Sequence, residues 1–305
     1  MYGRVSIWDD LKREFQSGNI IIRLIMINVA VFLLVGLVHG IVFLIHPDRQ
    51  VSEQLVASIL KWVMLPADTR QLLKSPWTLF THMFMHQGVF HLIFNMLWLY
   101  WFGLIIQEFI GSRRILPLYL YGGLTGALLL IISYNIFPGL HSEMPYVRAL
   151  GASAAVLAIV VAAATLVPDY TVFLLFLGPV RIKYIALVLV IIDLVSIPDV
   201  NTGGHIAHLG GALLGYVFIK QLQHGNDWSI PFYRMTDWVK RRFIRSSTPR
   251  MVYKTKNTVR RKRQSEPDPD KQQRIDEILD KISRSGYDSL SKEEKEFLFR
   301  VSREK

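Results

Sequence analysis

Polar and ionisable side chains interrupt three of the long apolar runs in this sequence, each time close to the start of the run. They are His91 and Asn95, then Ser153, then His205 and His208. Such groups are costly inside a membrane, so they indicate a functional site. A serine hydroxyl is an effective nucleophile only with a base in hydrogen-bond reach, and neutral imidazole is such a base near physiological pH. Ser153 and His208 could therefore perform acyl transfer if the fold brings them together.

Acyl transfer also requires hydrogen-bond donors aimed at the oxyanion that develops on the substrate. The side chains of His91 and Asn95 and the backbone N–H of Ser153 are the candidates. No acidic residue lies near His208 in the sequence. Asp193 is the one membrane acid that could orient the imidazole, and we expect a simple Ser–His dyad without it.

Small residues around the candidate pair predict close helix packing. Gly211 and Gly215 follow His208 by one and two helical turns, and Ala154 and Ala158 follow the serine. Small residues at this spacing let helix backbones approach each other in a membrane. The glycine and alanine faces would then set the distance between the serine and the histidine.

The histidines allow other interpretations, which we weigh against catalysis. His82 and His86 are four residues apart, the spacing of a metal-binding pair, but the sequence contains no H-E-x-x-H motif. We interpret them as anchors of a loop. Cysteine is absent, so thiolate sites are excluded, and we expect no metal and no cofactor. A transporter or haem-carrying protein is the alternative class, and it would use His82, His86, His91, His205 and His208.

Composition and patterning predict an all-α membrane protein. Hydrophobic residues make up 51% of the 305-residue chain and charged residues only 19%. A membrane-spanning helix needs about 20 mostly apolar residues. The candidate spans are residues 21–45, 89–108, 115–137, 149–167, 180–197 and 205–222. The predicted organisation is a cytoplasmic segment at 1–20, a six-helix membrane domain at 21–222, a basic juxtamembrane segment and linker at 223–270, and a helical hairpin at 271–305.

The distribution of basic residues predicts the orientation of these spans. Loops 109–114 and 168–183 are basic, whereas loops 138–148 and 198–204 are poor in Lys and Arg. The positive-inside rule therefore places both termini in the cytoplasm of a multi-pass cell-membrane protein. The second, fourth and sixth spans then run inwards from the outer face. Their polar first turns share one layer, about 5–6 Å below the outer boundary at 1.5 Å per residue.

The basic tail accounts for most of the net charge of +11. From Gln221 onwards, 21 basic and 13 acidic side chains give a net charge of +8. We interpret this excess as attraction to anionic lipid rather than to nucleic acid. Two short helices are expected further on, with Gly286 ending the first and a capping box of Ser291 and Glu294 opening the second.

Three motifs, in this order, resemble those of the rhomboid family of intramembrane serine proteases. They are His82-x-x-x-His86 followed by His91-x-x-x-Asn95, then Gly151-Ala152-Ser153-Ala154, and then Ala207-His208-x-x-Gly211-x-x-x-Gly215. The resemblance covers about residues 20–222. Three residues depart from the family pattern: Ala154 replaces a glycine, Thr78 replaces an arginine, and Leu157 replaces a tyrosine found in some members.

The resemblance implies a rhomboid-like bundle of six transmembrane helices that acts as a serine endopeptidase, and the sequence pattern adds a small helical cytoplasmic tail. Ser153 would be the nucleophile and His208 the general base, while His91 and Asn95 would stabilise the oxyanion. Its substrates would be single-span membrane proteins, cleaved in or near their transmembrane segments. Helix five and loop 198–204 would gate their entry. A catalytically inactive rhomboid-like protein that binds membrane clients is the alternative.

Overall fold

The computed structural model describes residues 19–174, 178–198, 201–243 and 269–303. Most of the expected N-terminal segment, most of the linker, and residues 199 and 200 of the expected gating loop lie outside these residues. The described chain is mostly helical. It divides into two compact units, Met1–Arg245 and Ser246–Lys305.

The first unit contains ten α-helices among its described residues. They are α1 (Ile20–Ile45), α2 (Arg49–Leu60), α3 (Thr69–Lys74), α4 (Thr78–Thr81), α5 (Val89–Ile110), α6 (Ile115–Ile136), α7 (Ser153–Leu166), α8 (Ile182–Val195), α9 (Thr202–Gln223) and α10 (Ser229–Phe243). Short 3₁₀ helices cover His82–Phe84, Ser112–Arg114 and Pro138–Leu140. Helices therefore occur at all six predicted spans.

Three described segments are long and apolar enough to cross a membrane, judged by length and composition. They are Ile20–Ile45, Val89–Ile110 and Ser112–Ile136, the last joining a 3₁₀ helix to α6. The helices at the other three candidate spans are shorter or less apolar. Helices α7 and α8 have 14 residues each, a length of about 21 Å, and α9 opens with glycines and histidines. The six-span arrangement stays a prediction.

Two short antiparallel ladders depart from the all-helical expectation. Strand β1 (Leu65–Pro66) pairs with β2 (Arg148–Ala149), and β3 (Thr171–Leu174) pairs with β4 (Gly178–Arg181). The second ladder lies where the sequence suggested only a basic loop. The first ties the segment between α2 and α3 to the segment that enters α7, so it restrains the start of the helix that carries the candidate nucleophile.

A buried polar network joins α1, α6 and the 3₁₀ helix that precedes α5. The Asn28 amide donates to Leu24 O at 2.8 Å and to Tyr119 Oη at 3.2 Å, and Tyr119 Oη donates to Met83 O at 2.9 Å. Asn28 and Tyr119 are fully buried. Because an unpaired polar group is costly in an apolar interior, these bonds fix how the three segments pack.

Helix α10 is attached to the basic end of the bundle by an ion pair. Arg114 Nη2 lies 2.7 Å from Asp227 Oδ2, and Asp227 Oδ1 accepts the backbone N–H of Ser229 at 2.9 Å. Partial burial alone raises the pKa of Asp227, but hydrogen bonds from Ser229 and Arg114 outweigh it and hold the pKa below its usual range. The carboxylate thus stabilises the fold while it is ionised.

We expect Asp227→Asn to lower the free energy of unfolding at pH 7 by about 1–2 kcal/mol, because it removes a charged hydrogen bond. A lowered folded-state pKa means that this stability is present above the unfolded pKa and is lost as the pH falls through the folded one. The stability difference between wild type and variant should therefore shrink below about pH 4. Thermal unfolding in detergent measures it, with the exposed Asp237→Asn on α10 as the control. A difference that persists at pH 3 would contradict this assignment.

The second unit is a helical hairpin, as the sequence predicts. Helix α11 (Pro269–Ser285) ends at Gly286, whose φ is +75°, and α12 (Lys292–Arg303) follows. The capping box is present, since Ser291 N donates to Glu294 Oε2 at 2.6 Å and Glu294 N donates to Ser291 Oγ at 3.3 Å. Glu294 also pairs with Lys281 of α11 at 2.9 Å, which ties the two helices together.

Candidate active site

Ser153 is the first residue of α7, and its local backbone places it there. The sequence suggested that this helix begins near residue 149, but Gly151 has a φ of +136°, which a helix does not allow and which side chains disfavour. The N–H of Gly151 donates to His82 O at 2.9 Å. The chain therefore enters α7 through an anchored, non-helical turn that positions the serine.

The structure brings Ser153 and His208 into direct contact. His208 Nε2 lies 2.6 Å from Ser153 Oγ, although 55 residues separate them. Ser153 opens α7, and His208 lies about two turns into α9. This is the geometry of a nucleophile with its general base, because the imidazole nitrogen is within reach of the hydroxyl proton.

Asp193 corrects the expectation of a simple dyad. Its Oδ1 atom lies 2.8 Å from His208 Nδ1 and 2.9 Å from His205 Nδ1. The expectation failed because α8 packs its last turns against the start of α9, which no sequence spacing shows. The sequence places His205 in the same polar layer but indicates no catalytic role for it. A signal was available, since His205 and His208 are three residues apart and so share one face of a helix.

The same three side chains are the group among the described residues that could hold a metal ion. Asp193, His205 and His208 each offer one ligand atom, and these atoms lie within 4.8 Å of one another. Two imidazoles and a carboxylate are ligands that zinc accepts. The short distances from Asp193 Oδ1 to the two histidine Nδ1 atoms are also those of hydrogen bonds. His208 contacts Ser153 as well, through its other ring nitrogen.

A cavity of about 220 Å³ opens beside the pair. Asn95, Ser153, Asp193 and His208 provide its polar lining, and the rest is mostly apolar. The Asn95 amide nitrogen donates one hydrogen to His91 O at 2.8 Å. Because an amide nitrogen carries two hydrogens, the other can serve a ligand in the cavity.

His91 lies near the nucleophile but outside the lining of this cavity. A methyl group added at Gly151 would come within 3.1 Å of His91 Cε1 and 3.3 Å of Ser153 Oγ. The His91 imidazole and the Ser153 hydroxyl therefore both flank the space that a side chain at Gly151 would fill, and any larger residue would crowd both. Of the two predicted oxyanion donors, Asn95 lines the cavity and His91 lies beside Gly151.

Glycines let α9 lie directly against α7. A methyl group at Gly211 would overlap the carbonyl oxygen of Ala154 and approach its carbonyl carbon to 2.8 Å, and one at Gly215 would overlap the carbonyl oxygen of Ala158. The methyl group of Ala154 packs towards Gly126 of α6, where an added Cβ would lie 2.8 Å away. The alanine that departs from the family pattern is therefore accommodated by a neighbouring glycine.

His82 and His86 differ in their surroundings. Ring atom Nδ1 of His82 lies 2.8 Å from Thr78 O, and its carbonyl receives the Gly151 N–H, so His82 anchors the loop. Both ring nitrogens of His86 are buried and have no hydrogen-bond partner among the described residues. The ring centroid of His86 lies 5.2 Å from that of His91.

A larger groove of about 500 Å³ lies at the other end of α5, against the β3–β4 ladder. Aromatic and aliphatic side chains form most of its lining, including Trp101, Tyr170 and Phe173. Its described lining residues include no serine and no histidine, so the cavity beside Ser153 and His208 is the candidate site.

Comparison with known proteins gives matches to both units. A rhomboid domain matches residues 73–223, and a family of unknown function (DUF6576) matches residues 257–304. RHOMBOID-like protein 12, mitochondrial, from Arabidopsis thaliana is 32% identical over 157 residues, which cover 48% of this chain and 47% of that protein. Rhomboid protease GlpG from Pectobacterium atrosepticum is 23% identical over 150 residues, covering 44% and 47%.

The chain spans about half the length of the curated relatives that it matches. The matched region includes the serine at the start of α7 and the histidine of α9, together with the glycines that pack these helices. The apolar helices agree with a family whose members are embedded in membranes. The matched half of this chain, residues 73–223, belongs to the rhomboid family.

Proposed function

We propose that this chain is an intramembrane serine endopeptidase that hydrolyses peptide bonds in or near the transmembrane segments of other membrane proteins. Ser153 is the nucleophile and His208 the general base. The observation that carries the proposal is the 2.6 Å contact between His208 Nε2 and Ser153 Oγ beside a cavity. A hydroxyl held this close to an imidazole is poised to lose its proton.

The reaction follows from these contacts. Ser153 Oγ forms a bond to the substrate carbonyl carbon while its proton moves to His208 Nε2. The carbonyl oxygen becomes an oxyanion, which the Asn95 amide and the Ser153 backbone N–H stabilise. His208 then gives the proton to the departing amine as the peptide bond breaks. Water, deprotonated by His208, hydrolyses the acyl-enzyme and returns the serine.

Six membrane-spanning helices, α1 and α5 to α9, form the proposed membrane domain. The site lies at the end of the bundle where α9 begins, and the basic helix α10 follows the end of α9. Positive charge favours the cytoplasmic side, so both termini face the cytoplasm and the site faces the opposite side of a cell membrane. Ser153 is only half-buried and lines the cavity, so water can reach it from that side.

Single-span membrane proteins are the proposed substrates. The apolar lining of the cavity comes from α5, α7 and α8, including Trp98, Leu157 and Leu189. Such walls favour an apolar segment that arrives through the lipid. Because a backbone carbonyl inside a helix is hydrogen-bonded and shielded, cleavage favours substrates with small or helix-breaking residues near the scissile bond.

A fluorophosphonate probe tests the proposed function directly. The detergent-solubilised protein should be labelled on Ser153, as identified by peptide mass spectrometry, and should cleave a model single-span substrate in proteoliposomes. The matched control is Ser153→Ala, which keeps the small side chain and should do neither. Labelling that is unchanged in Ser153→Ala would refute the assignment. A wild-type protein that binds the substrate without labelling or cleavage would instead be an inactive, client-binding rhomboid-like protein.

We expect Asn95→Ala to lower kcat by about 10²-fold or more, with KM changed little, because an oxyanion donor acts only in the transition state. Substrate cleavage in proteoliposomes gives both constants. Thr165→Val is the control, since Thr165 Oγ1 donates to Val161 O four residues earlier, much as Asn95 donates to His91 O. An Asn95→Ala enzyme with normal kcat would remove this residue from the oxyanion site.

Anionic lipid is the proposed partner of α10. Exposed Met235, Trp238 and Val239 accompany the exposed basic residues Lys240, Arg241 and Arg242. Each basic residue near an anionic surface contributes about 1 kcal/mol of attraction. Reversing the three charges to Glu should reduce the phosphatidylglycerol retained by the full-length protein in native mass spectrometry. Equal retention by wild type and variant would exclude the partner.

A further inference from the structure

The carboxylate of Asp193 sits between two imidazoles at the junction of α8 and α9. Its Oδ1 atom lies 2.8 Å from His208 Nδ1 and 2.9 Å from His205 Nδ1, and its side chain is only 9% exposed. We propose that Asp193 is a positioning residue that fixes the tautomer and orientation of His208, with His205 anchoring the carboxylate. The catalytic meaning of this contact rests on the proposed function.

Hydrogen-bond chemistry determines which ring nitrogen carries the proton. An ionised carboxylate only accepts hydrogen bonds, so His208 Nδ1 must donate to it. A neutral imidazole has one N–H, and His208 Nε2 is therefore left with a lone pair. That nitrogen faces Ser153 Oγ at 2.6 Å. The carboxylate thus selects the tautomer in which His208 can accept the serine proton.

The two histidine donors around Asp193 explain how a buried carboxylate can be stable there. A buried carboxylate is strongly destabilising unless donors satisfy it. His205 and His208 lie three residues apart on α9, so both can reach the same oxygen of the acid on α8. When His208 takes the proton from Ser153, the carboxylate also stabilises the imidazolium, and Asp193 itself gains no proton.

The cavity lining offers few other side chains that could form a hydrogen bond with the His208 imidazole. Leu157 lies one turn after Ser153 on α7 and lines the same cavity, but its side chain has no polar atom. His205 shares the carboxylate and has its ring nearly perpendicular to that of His208, at 6.1 Å between centroids. His205 does not contact the serine through any described hydrogen bond, which is why we assign it to anchoring alone.

Nuclear magnetic resonance of the ¹⁵N-histidine-labelled wild-type protein tests the orientation without any activity. His208→Gln assigns the His208 signals by their disappearance. We expect His208 in the Nδ1–H tautomer, with Nε2 unprotonated and no stoichiometric metal in elemental analysis of the protein. The Nε2–H tautomer, or one bound metal ion per chain, would overturn the proposal.

Kinetics test whether the orientation matters for turnover. Asp193→Asn should lower kcat by about 10²–10⁴-fold while KM stays within about threefold, since the wrong tautomer impairs proton transfer rather than binding. His205→Gln should lower kcat less than about tenfold, and Asp237→Asn, which removes an exposed acid from α10, is the charge-matched control. Normal kcat in Asp193→Asn would overturn the proposal.

The two measurements separate this proposal from the proposed function. A wild-type protein that shows the Nδ1–H tautomer but cleaves nothing would support the assigned orientation and refute the protease. Cleavage by a protein with the other tautomer would keep the protease and overturn the role of Asp193. If Asp193→Asn does not fold, the tautomer in the wild-type protein decides the question.

Discussion

Replacing either Ser153 or His208 by alanine is expected to lower kcat by about 10⁵–10⁶-fold, and replacing both should lower it no further. The reason is that the hydroxyl and the imidazole act as one unit. Without the base, the hydroxyl keeps its proton, and without the hydroxyl the base has no nucleophile to activate. The 2.6 Å contact is the structural basis of this expected non-additivity.

Substrate cleavage in proteoliposomes by the two single variants and the double variant measures this coupling. Circular dichroism and thermal unfolding of each variant serve as controls for folding. The residual rate common to all three variants would report what the oxyanion donors and binding supply without the pair. Independent, multiplying effects of the two substitutions, or substantial activity in His208→Ala, would contradict the assignment.

The positions of the helices are predictable because the physical signal is strong. Runs of about 20 apolar residues have few stable states in a membrane other than a helix, since the backbone must satisfy its own hydrogen bonds. The structure places helices at all six predicted runs, with ends that shift by a few residues. The helix that carries Ser153 begins later than the sequence predicts because Gly151 has a positive φ, which is incompatible with a helix.

The β3–β4 ladder shows where sequence patterns gave no warning. Residues 168–183 combine Pro, Gly and basic residues, which are typical of a loop. Strands β3 and β4 have only four residues each, which is too few for an alternating apolar and polar pattern to be recognised. Val172 pairs with Val180, and Phe173 pairs with Pro179. The sequence alone does not indicate these pairs.

The candidate site was predictable in its members but not in its contacts. Ser153, His208 and Asn95 attract attention because polar groups are rare within apolar spans. The partner of a histidine, by contrast, depends on how two helices are rotated and shifted against each other. Asp193 lies 15 residues before His208, and no spacing rule applies across the segment that joins α8 to α9. The acid could be suspected from the sequence, but its hydrogen bonds required the structure.

The packing of α9 on α7 provides the second large expected effect. We expect Gly211→Val to lower kcat by about 10³-fold or more. Its Cβ would overlap the carbonyl oxygen of Ala154, the residue that follows the proposed nucleophile Ser153. A backbone oxygen cannot turn away as a side chain can, so the helices must separate by 1 Å or more. A misplacement of that size already costs about 10²-fold, and it would open the distance between His208 Nε2 and Ser153 Oγ directly.

The same substitution elsewhere in the chain provides a matched control. Gly36 and Gly40 of α1 have no heavy atom within 4 Å of an added Cβ, so Gly36→Val changes the composition of a membrane helix without changing its packing. That variant should cleave the model substrate like the wild type. Gly211→Ala adds the same overlapping Cβ without the two further methyl groups of valine, so it should also lower kcat, but less than Gly211→Val does. Fluorophosphonate labelling of Ser153 should fall in the order Gly36→Val, Gly211→Ala, Gly211→Val. A Gly211→Val protein that labels and cleaves normally would mean that the contact between α7 and α9 does not set the serine–histidine distance.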